Sequence, residues 1–160
     1  MSSASVRLAL MSDAHAPAVA RRCVRETLRE WSLDDLCDDC QLATSELVTN
    51  AVRHGRPPVE LLLSVDEGVL ELAVSDGDGP ALRAVGADDL AEGGRGLVLV
   101  RAVTDELRVE RVPHAGKRLV ARWQVPRSLT ADQAMAGTGG SPVSDGCTAP
   151  SASSSSDHRR

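Results

Sequence analysis

The sequence predicts an α+β domain, a two-layer sandwich in which a mixed, mostly antiparallel sheet carries its helices on one face. Three observations lead there. Apolar residues alternate along several short stretches, as on half-buried strands, and recur at helical spacing in others. The elements run strand, two helices, two strands, loop, helix, two strands. Strands that follow one another across a short turn pair as antiparallel hairpins, and the helices must then cover one side of the sheet.

The first strand is short, with Val6, Leu8 and Leu10 alternating within Ser5–Leu10. Pro17 suits the first turn of a helix, where its missing N–H is no loss. Behind it Val19, Cys23, Val24, Leu28 and Trp31 recur at helical spacing. Ser32 with Asp35 reads as a weak capping box that opens a second helix. The buried stripe of that helix is Leu36, Cys40, Ala43, Leu47 and Ala51, with Asn50 at its border and Glu46 further round. Gly55 suits a left-handed residue after the helix, and Pro57-Pro58 prevents continuation.

Two strands follow, the first with Val59, Leu61, Leu63 and Val65 on one side, the second from Val69 to Ser75 after a turn at Asp66-Glu67-Gly68. Both are apolar on more than one face and so belong inside the sheet. Next comes Asp76-Gly77-Asp78-Gly79-Pro80, then a weakly structured segment from Ala81 to Glu92. Gly93-Gly94-Arg95-Gly96 leads into a short helix over Leu97–Val103. Two last strands, Glu106–Val112 and Arg118–Val125, flank a turn at Pro113-His114-Ala115-Gly116. From about Ser128 the chain turns to Gly, Ser, Thr, Ala and Pro, too poor in apolar surface to offset its ordering entropy. The expected organisation is one folded domain over residues 1–127 and a disordered tail over 128–160.

Composition narrows the function. A chain of 160 residues can form one real core, but it has no Phe, Tyr or Ile, so Leu, Val and Ala must fill it around Trp31 and Trp123. The net charge of −5 excludes general nucleic-acid affinity, which needs a basic surface. Arg21-Arg22 can still meet an acidic protein partner. No apolar run approaches the ~20 residues that cross a bilayer, and the N-terminus lacks a signal-peptide pattern. The expected compartment is the cytoplasm, with reduced cysteines. Cys37 and Cys40 form a C-x-x-C, but Asp38-Asp39 between them raise the thiol pKa and no second pair follows.

The chemistry concentrates in three places. Asn50 is the only asparagine in the chain, four residues after Glu46. One helical turn apart, the two side chains leave the same side of the helix. A carboxylate and an amide oxygen there can position a divalent metal and a reacting hydroxyl, although a solvated polar face is the commoner use of such a pair. Asp76 ends a buried strand, where it can accept a hydrogen bond from an exocyclic amine such as that of adenine; a turn-initiating aspartate is the plainer reading. Gly94 and Gly96 open a helix, where unpaired N–H groups and the helix dipole favour phosphate, and Arg95 can add a charged contact. A flexible loop that only caps the helix is the competing reading. Neither a Walker A loop nor a dinucleotide fingerprint fits these spacings.

In order, these runs resemble one family. Ser45-Glu46-Leu47-Val48-Thr49-Asn50-Ala51-Val52-Arg53-His54-Gly55 is very similar to the N-box of bacterial anti-sigma factor serine kinases. These belong to the GHKL superfamily, with gyrase, a heat-shock chaperone, histidine kinases and MutL. Val74 to Pro80 resembles the first glycine box and Glu92 to Leu97 the second. The similarity spans about Val6 to Val125.

The resemblance implies a Bergerat ATP-binding fold with ATP and Mg2+ as cofactors. By motif position, Glu46 would be the general base and Asn50 the magnesium ligand. Asp76 would read the adenine amine, with Gly77 and Gly79 completing the first box. Gly94, Arg95, Gly96 and Leu97 would hold phosphates as part of a lid whose arm is Ala81–Gly93. The implied partners are a sigma factor and an anti-anti-sigma (STAS-type) protein, whose serine accepts the phosphate. Related kinases are often dimers, which makes a homodimer one expectation.

The chain departs from the family pattern at Asp78, where a glycine is usual, and at Lys117, where a small hydroxyl residue often stands near the adenine pocket. His54 ends the asparagine helix as a dipole-favoured terminal residue, and nothing upstream resembles the paired helices of a sensor histidine kinase. The expected function is an ATP-dependent serine/threonine protein kinase that also sequesters a sigma factor. The alternative is a catalytically silent ATP-binding module, or an interaction module that needs no ATP. A hydrolytic ATPase that drives conformational change would need a transducer domain.

Overall fold

A computed structural model describes residues 3–77, 94–112 and 116–125. Among them the elements run β1 (Ala4–Leu10), α1 (Ala16–Glu30), α2 (Cys37–His54), β2 (Arg56–Asp66), β3 (Val69–Gly77), α3 (Gly94–Val103), β4 (Glu106–Val112) and β5 (Gly116–Gln124). The strands form one sheet in the order β1-β2-β3-β5-β4. Among the described residues every neighbouring pair is antiparallel, which puts the sheet at the antiparallel end of the expected α+β sandwich. β2 and β3 lie inside it, as their two-sided apolar character demands.

One face of the sheet builds the core. The registers Leu10↔Val59, Leu8↔Leu61, Leu61↔Val74, Leu63↔Leu72, Leu72↔Ala121 and Val74↔Leu119 align a continuous apolar layer across the strands. Val24 and Leu28 of α1, Leu47 and Val48 of α2, and Leu97 and Val100 of α3 pack against that layer. Each fully buried Leu or Val contributes roughly 1.5–3 kcal/mol. The absence of larger rings is made good by Trp123, whose indole N–H donates to the Val103 carbonyl at 2.6 Å and ties β5 to the end of α3. Trp31 packs at the margin of the core. On the opposite face a polar row runs across the strands, where Arg122 meets Glu71 at 2.6 Å and Glu106 at 3.7 Å. These half-exposed ion pairs are worth little individually.

The helix ends show why the local signals were partly misread. Just ahead of α1, Asp13 Oδ1 accepts the N–H groups of His15 and Ala16 at 2.8 and 3.1 Å. Pro17 sits in the first turn, as expected. Ser32 does not cap α2. It adopts φ 55° at the end of α1. Its N–H bonds the Arg29 carbonyl at 3.0 Å while Leu33 bonds Leu28 at 2.8 Å. That is a Schellman motif, with Leu28 and Leu33 both buried in the core. A 3-10 turn over Asp34–Leu36 then leads into α2, which has no side-chain cap. Its carboxylates at Asp38 and Asp39 complement the helix dipole instead.

β2 begins at Arg56, two residues past the end of α2, and contains both prolines. Its ladder with β3 is interrupted between Arg56 and Glu60, where Pro57 and Pro58 have no N–H to donate. The β2–β3 turn uses Glu67 and Gly68 at φ 49° and 79°, the primed geometry that matches strand twist. The segment Ala81–Gly93, most of the turn at Pro113–Gly116, the boundary near Ser128 and the tail lie outside the described residues.

Candidate functional site

The site forms where α2, α3 and the ends of β3 and β5 meet. Leu47, Val48 and Ala51 are buried under α2. This fixes the rotation of the helix and turns Glu46 and Asn50 to a half-buried flank, one helical turn apart. α3 packs beside α2 through Leu97 and Val100, which leaves Arg95 exposed.

The sharpest contact is between Glu46 and Gly96. A Cβ built at Gly96 would overlap Glu46 Oε2. Only glycine therefore lets the first turn of α3 come this close to the carboxylate. The N–H groups of that turn have no partner within the helix. The structure thus brings together the residue expected to be the base and the glycine expected to hold phosphate. Behind Glu46, Arg21 donates to the Ser45 hydroxyl at 3.0 Å, which in turn donates to the Gln41 carbonyl at 2.8 Å. The first bond joins α1 to α2 beside the acid, and the second, within α2, holds the Ser45 hydroxyl in place.

Asp76 is buried at the end of β3, on the helix-facing side of the sheet with Leu70, Leu72 and Val74. Burial pushes its carboxyl pKa up. The backbone N–H of Lys117, which reaches Oδ1 at 3.2 Å, and the Lys117 charge both pull it back. Three glycines pack closely at this end of β3, and one of them, Gly55, lies against the carboxylate itself. A Cβ at Gly55 would lie 2.5 Å from Asp76 Cβ, Asp76 Oδ2 and the Ala51 carbonyl oxygen. At Gly77 it would overlap the Pro57 carbonyl, and at Gly116 the carbonyls of Asp76 and Gly77. Gly116 also takes φ 83°, which favours glycine.

Gly55 corrects the sequence reading. Its φ and ψ of −88° and −171° are extended, not left-handed. It is glycine because the chain there passes against Asp76. The presence of a glycine just after a helix concealed this, since capping is the commoner explanation. Gly116 and Lys117 are not among the expected binding residues either; Lys117 is flagged in sequence only as a departure from the family pattern near the adenine pocket, and Gly116 only as a turn glycine. Asn50, Gly77, Gly94, Arg95 and Leu97 occupy the α2 flank, the β3 end and the α3 start. Gly79 and Asp78 lie outside the described residues.

The donor set bears on magnesium. Among the described residues, no group of three or more His, Cys, Asp or Glu side chains could hold a metal by itself. Glu46 and Asn50 offer one carboxylate and one amide oxygen. That fits magnesium, which is usually held by one or two protein oxygens, water and substrate phosphates. The C-x-x-C is a poor nucleophile. Burial pushes the Cys40 thiol pKa far up, with Asp39 and Cys37 adding to it. Sequence reasoning named the carboxylates, but burial is the larger cause.

Residues 10–123 match the histidine kinase-like ATPase domain family. Among curated proteins, the chain is similar to the serine-protein kinase RsbW of Bacillus licheniformis, 35% identical over 97 residues, covering 50% of this chain and 60% of that protein. RsbW of Bacillus subtilis is 35% identical over 99 residues, covering 51% of this chain and 61% of that protein. RsbW of Staphylococcus aureus is 32% identical over 98 residues, with 50% and 61% covered. The chain thus spans about 60% of the length of these curated relatives. Among solved structures, the RsbU and RsbW domains of a Mycobacterium tuberculosis protein align with TM-score 0.54 and 20% identity. That alignment covers 76% of this chain and 32% of that one, and it supports the fold.

Proposed function

This chain belongs to the histidine kinase-like ATPase domain family, and from that premise we propose that it binds Mg-ATP and phosphorylates a serine of an anti-anti-sigma, STAS-type partner. In the same reading it sequesters a sigma factor when that partner is phosphorylated. The contact between Glu46 and Gly96 carries the proposal. It sets an acid where a phosphate-binding helix terminus begins.

The residues divide the work. Asp76 accepts a hydrogen bond from the adenine amine, with Gly77 and Gly79 assigned to the nucleotide by motif position. Backbone N–H groups from Gly94 to Leu97 and the Arg95 guanidinium hold phosphate oxygens. Asn50 would hold magnesium through its amide oxygen, and the ion would supply positive charge to offset the charge developing on the phosphates. Glu46 takes the proton from the acceptor serine as its oxygen bonds the γ-phosphorus and the bond to the β-phosphate oxygen breaks. ADP leaves, and the phosphate stays on the partner.

We take residues 1–127 as the catalytic unit and 128–160 as an appended tail, acting in the cytoplasm as a homodimer. Among the described residues no helix is long and apolar enough to cross a membrane. The acidic net charge of −5 speaks against direct nucleic-acid binding. Names of relatives support the kinase reading, since the RsbW proteins are serine-protein kinases.

The test is to incubate the protein with Mg-ATP and its cognate STAS-type partner and to follow the partner by mass spectrometry. One phosphate on one serine is expected, lost in Glu46→Ala. Asp78 favours a second reading, because a carboxylate facing the nucleotide would repel phosphate. In that reading ATP, or no nucleotide at all, gates a protein interface without transfer. Calorimetric ATP binding with an unmodified partner would support it.

A further inference from the structure

The base-reading end of the site contains a cation that the mechanism above does not use. Lys117 is the only lysine in the chain and is half-buried. Its side chain leaves β5 on the side of Leu119, Ala121 and Trp123, the helix-facing side. The β3–β5 register, which pairs Val74 with Leu119, carries on to set Asp76 beside Lys117. The backbone confirms the pairing, since Lys117 N–H donates to Asp76 Oδ1 at 3.2 Å. Among the described residues no ion pair joins the ammonium to Asp76, so it acts through space.

We propose that Lys117 is a positioning residue for nucleotide recognition: it fixes the Asp76 carboxylate and keeps it ionised, so that it can accept a hydrogen bond from the amine of an adenine base. The inference rests on the ATP-binding reading. Its physical need is plain. A carboxyl that is buried to the extent of Asp76, 6% exposed, tends to take up a proton. Protonation would leave only a neutral, weaker acceptor for the amine, since a hydrogen bond to an ionised carboxylate is about twice as strong. The influences opposing burial at Asp76 are the N–H bond and the charge of Lys117, followed by a hydrogen bond from the backbone of Asp76 itself.

Other charged groups toward this end of the site include Glu46, Arg53 and His54 of α2, Arg56 of β2 and Arg111 of β4, whereas Glu60, Glu71, Glu106, Arg108, Glu110, Arg118 and Arg122 alternate onto the opposite face of the sheet. Arg53, His54, Arg56 and Arg111 are exposed, and their fields are screened by water. Lys117 alone combines partial burial, the same face and adjacency to Asp76.

Any substitution other than proline keeps the backbone N–H, so Lys117→Met removes the charge while preserving the length of the side chain. The test has two arms. In nucleotide-free protein, carbon NMR follows the titration of the Asp76 carboxyl. The midpoint should rise in Lys117→Met and in Lys117→Gln, and return in Lys117→Arg. In the second arm, Mg-ATP affinity is measured by calorimetry across pH. Lys117→Met should lose affinity toward low pH at a higher pH than the native protein, by about tenfold for each unit the midpoint moves.

An unmoved Asp76 midpoint in the folded variants overturns the inference, whatever the nucleotide data. So does an equal loss of affinity at every pH, which would make Lys117 a direct ligand contact. Failure of the native protein to bind Mg-ATP would instead remove the reading on which the inference rests, and the NMR arm separates the two failures.

Discussion

Gly96→Ala probes the contact on which the kinase reading turns. The new Cβ would overlap Glu46 Oε2 and stand 3.0 Å from Cδ and 3.6 Å from Cγ of the same side chain. These are the far atoms of a flexible chain, so the carboxylate can swing away while the backbone stays. Forcing a side chain off its preferred rotamer costs about 0.5–1.5 kcal/mol. Alanine in place of glycine in a helix returns up to about 1 kcal/mol. The two nearly cancel, and the melting temperature should move by no more than about 5 °C.

Catalysis should respond very differently. Moving a reacting group by about 1 Å can cost on the order of 10²-fold in rate. Phosphoryl transfer to the partner should therefore fall by about that factor in Gly96→Ala, measured as initial rate beside a thermal melt. In a Glu46→Ala background the same substitution should cost little more, because both changes act on one group. A native transfer rate in the folded Gly96→Ala protein would refute the placement of the base. A loss of several kcal/mol in stability would show that backbone, not the carboxylate, fills the space.

Further outcomes follow from the same geometry. Gly55→Ala meets the Ala51 carbonyl and Asp76 together, neither of which swings aside, so overpacking should cost about 1–3 kcal/mol in chemical denaturation and weaken ATP binding as well. Asp76→Asn keeps an acceptor for the Lys117 N–H but turns an NH2 toward the adenine amine; ATP affinity should fall by at least about tenfold in calorimetry while the fold persists. Because the folded Asp76 pKa is raised above its ordinary 3.8, the folded state binds this proton more readily than the unfolded chain. Asp76 therefore favours folding least at neutral pH and regains that stability as pH falls through the raised pKa toward the unfolded one, a trend that denaturant titrations should lose in Asp76→Asn. Cys40 should resist alkylation at neutral pH in the folded protein and react once it is unfolded, as read by peptide mass spectrometry.

How far the sequence could be read depended on whether a signal was local or came from packing. Alternation in Val59–Val65 and Val69–Ser75 located two strands, and their two-sided apolar character placed them inside the sheet. The helix over Glu46 and Asn50 was legible from the stripe of Cys40, Ala43, Leu47 and Ala51, all buried in the structure. Ser32 was misassigned because a left-handed serine closing one helix looks, in sequence, like a serine opening the next.

Within the site, the motif residues Glu46, Asn50 and Asp76 could be named because each stands in a recognisable local run. Gly55 and Gly116 could not, and Lys117 only by its position near the adenine pocket, since their contacts join α2, β3 and β5 segments that are distant in sequence. The two-sided demand on Gly96 was half legible. Its place at a helix start is a local fact, whereas the acid pressed against it belongs to another helix.

The central claim is a nucleotide pocket bounded by Asp76 at one end and by Glu46 with the start of α3 at the other. Calorimetric titration of Mg-ATP into the native chain and into Asp76→Asn tests it most directly. Saturable binding to the native chain, strongly weakened in the variant, is the predicted result. No heat of binding to the native chain, or equal affinity in both, would contradict the account.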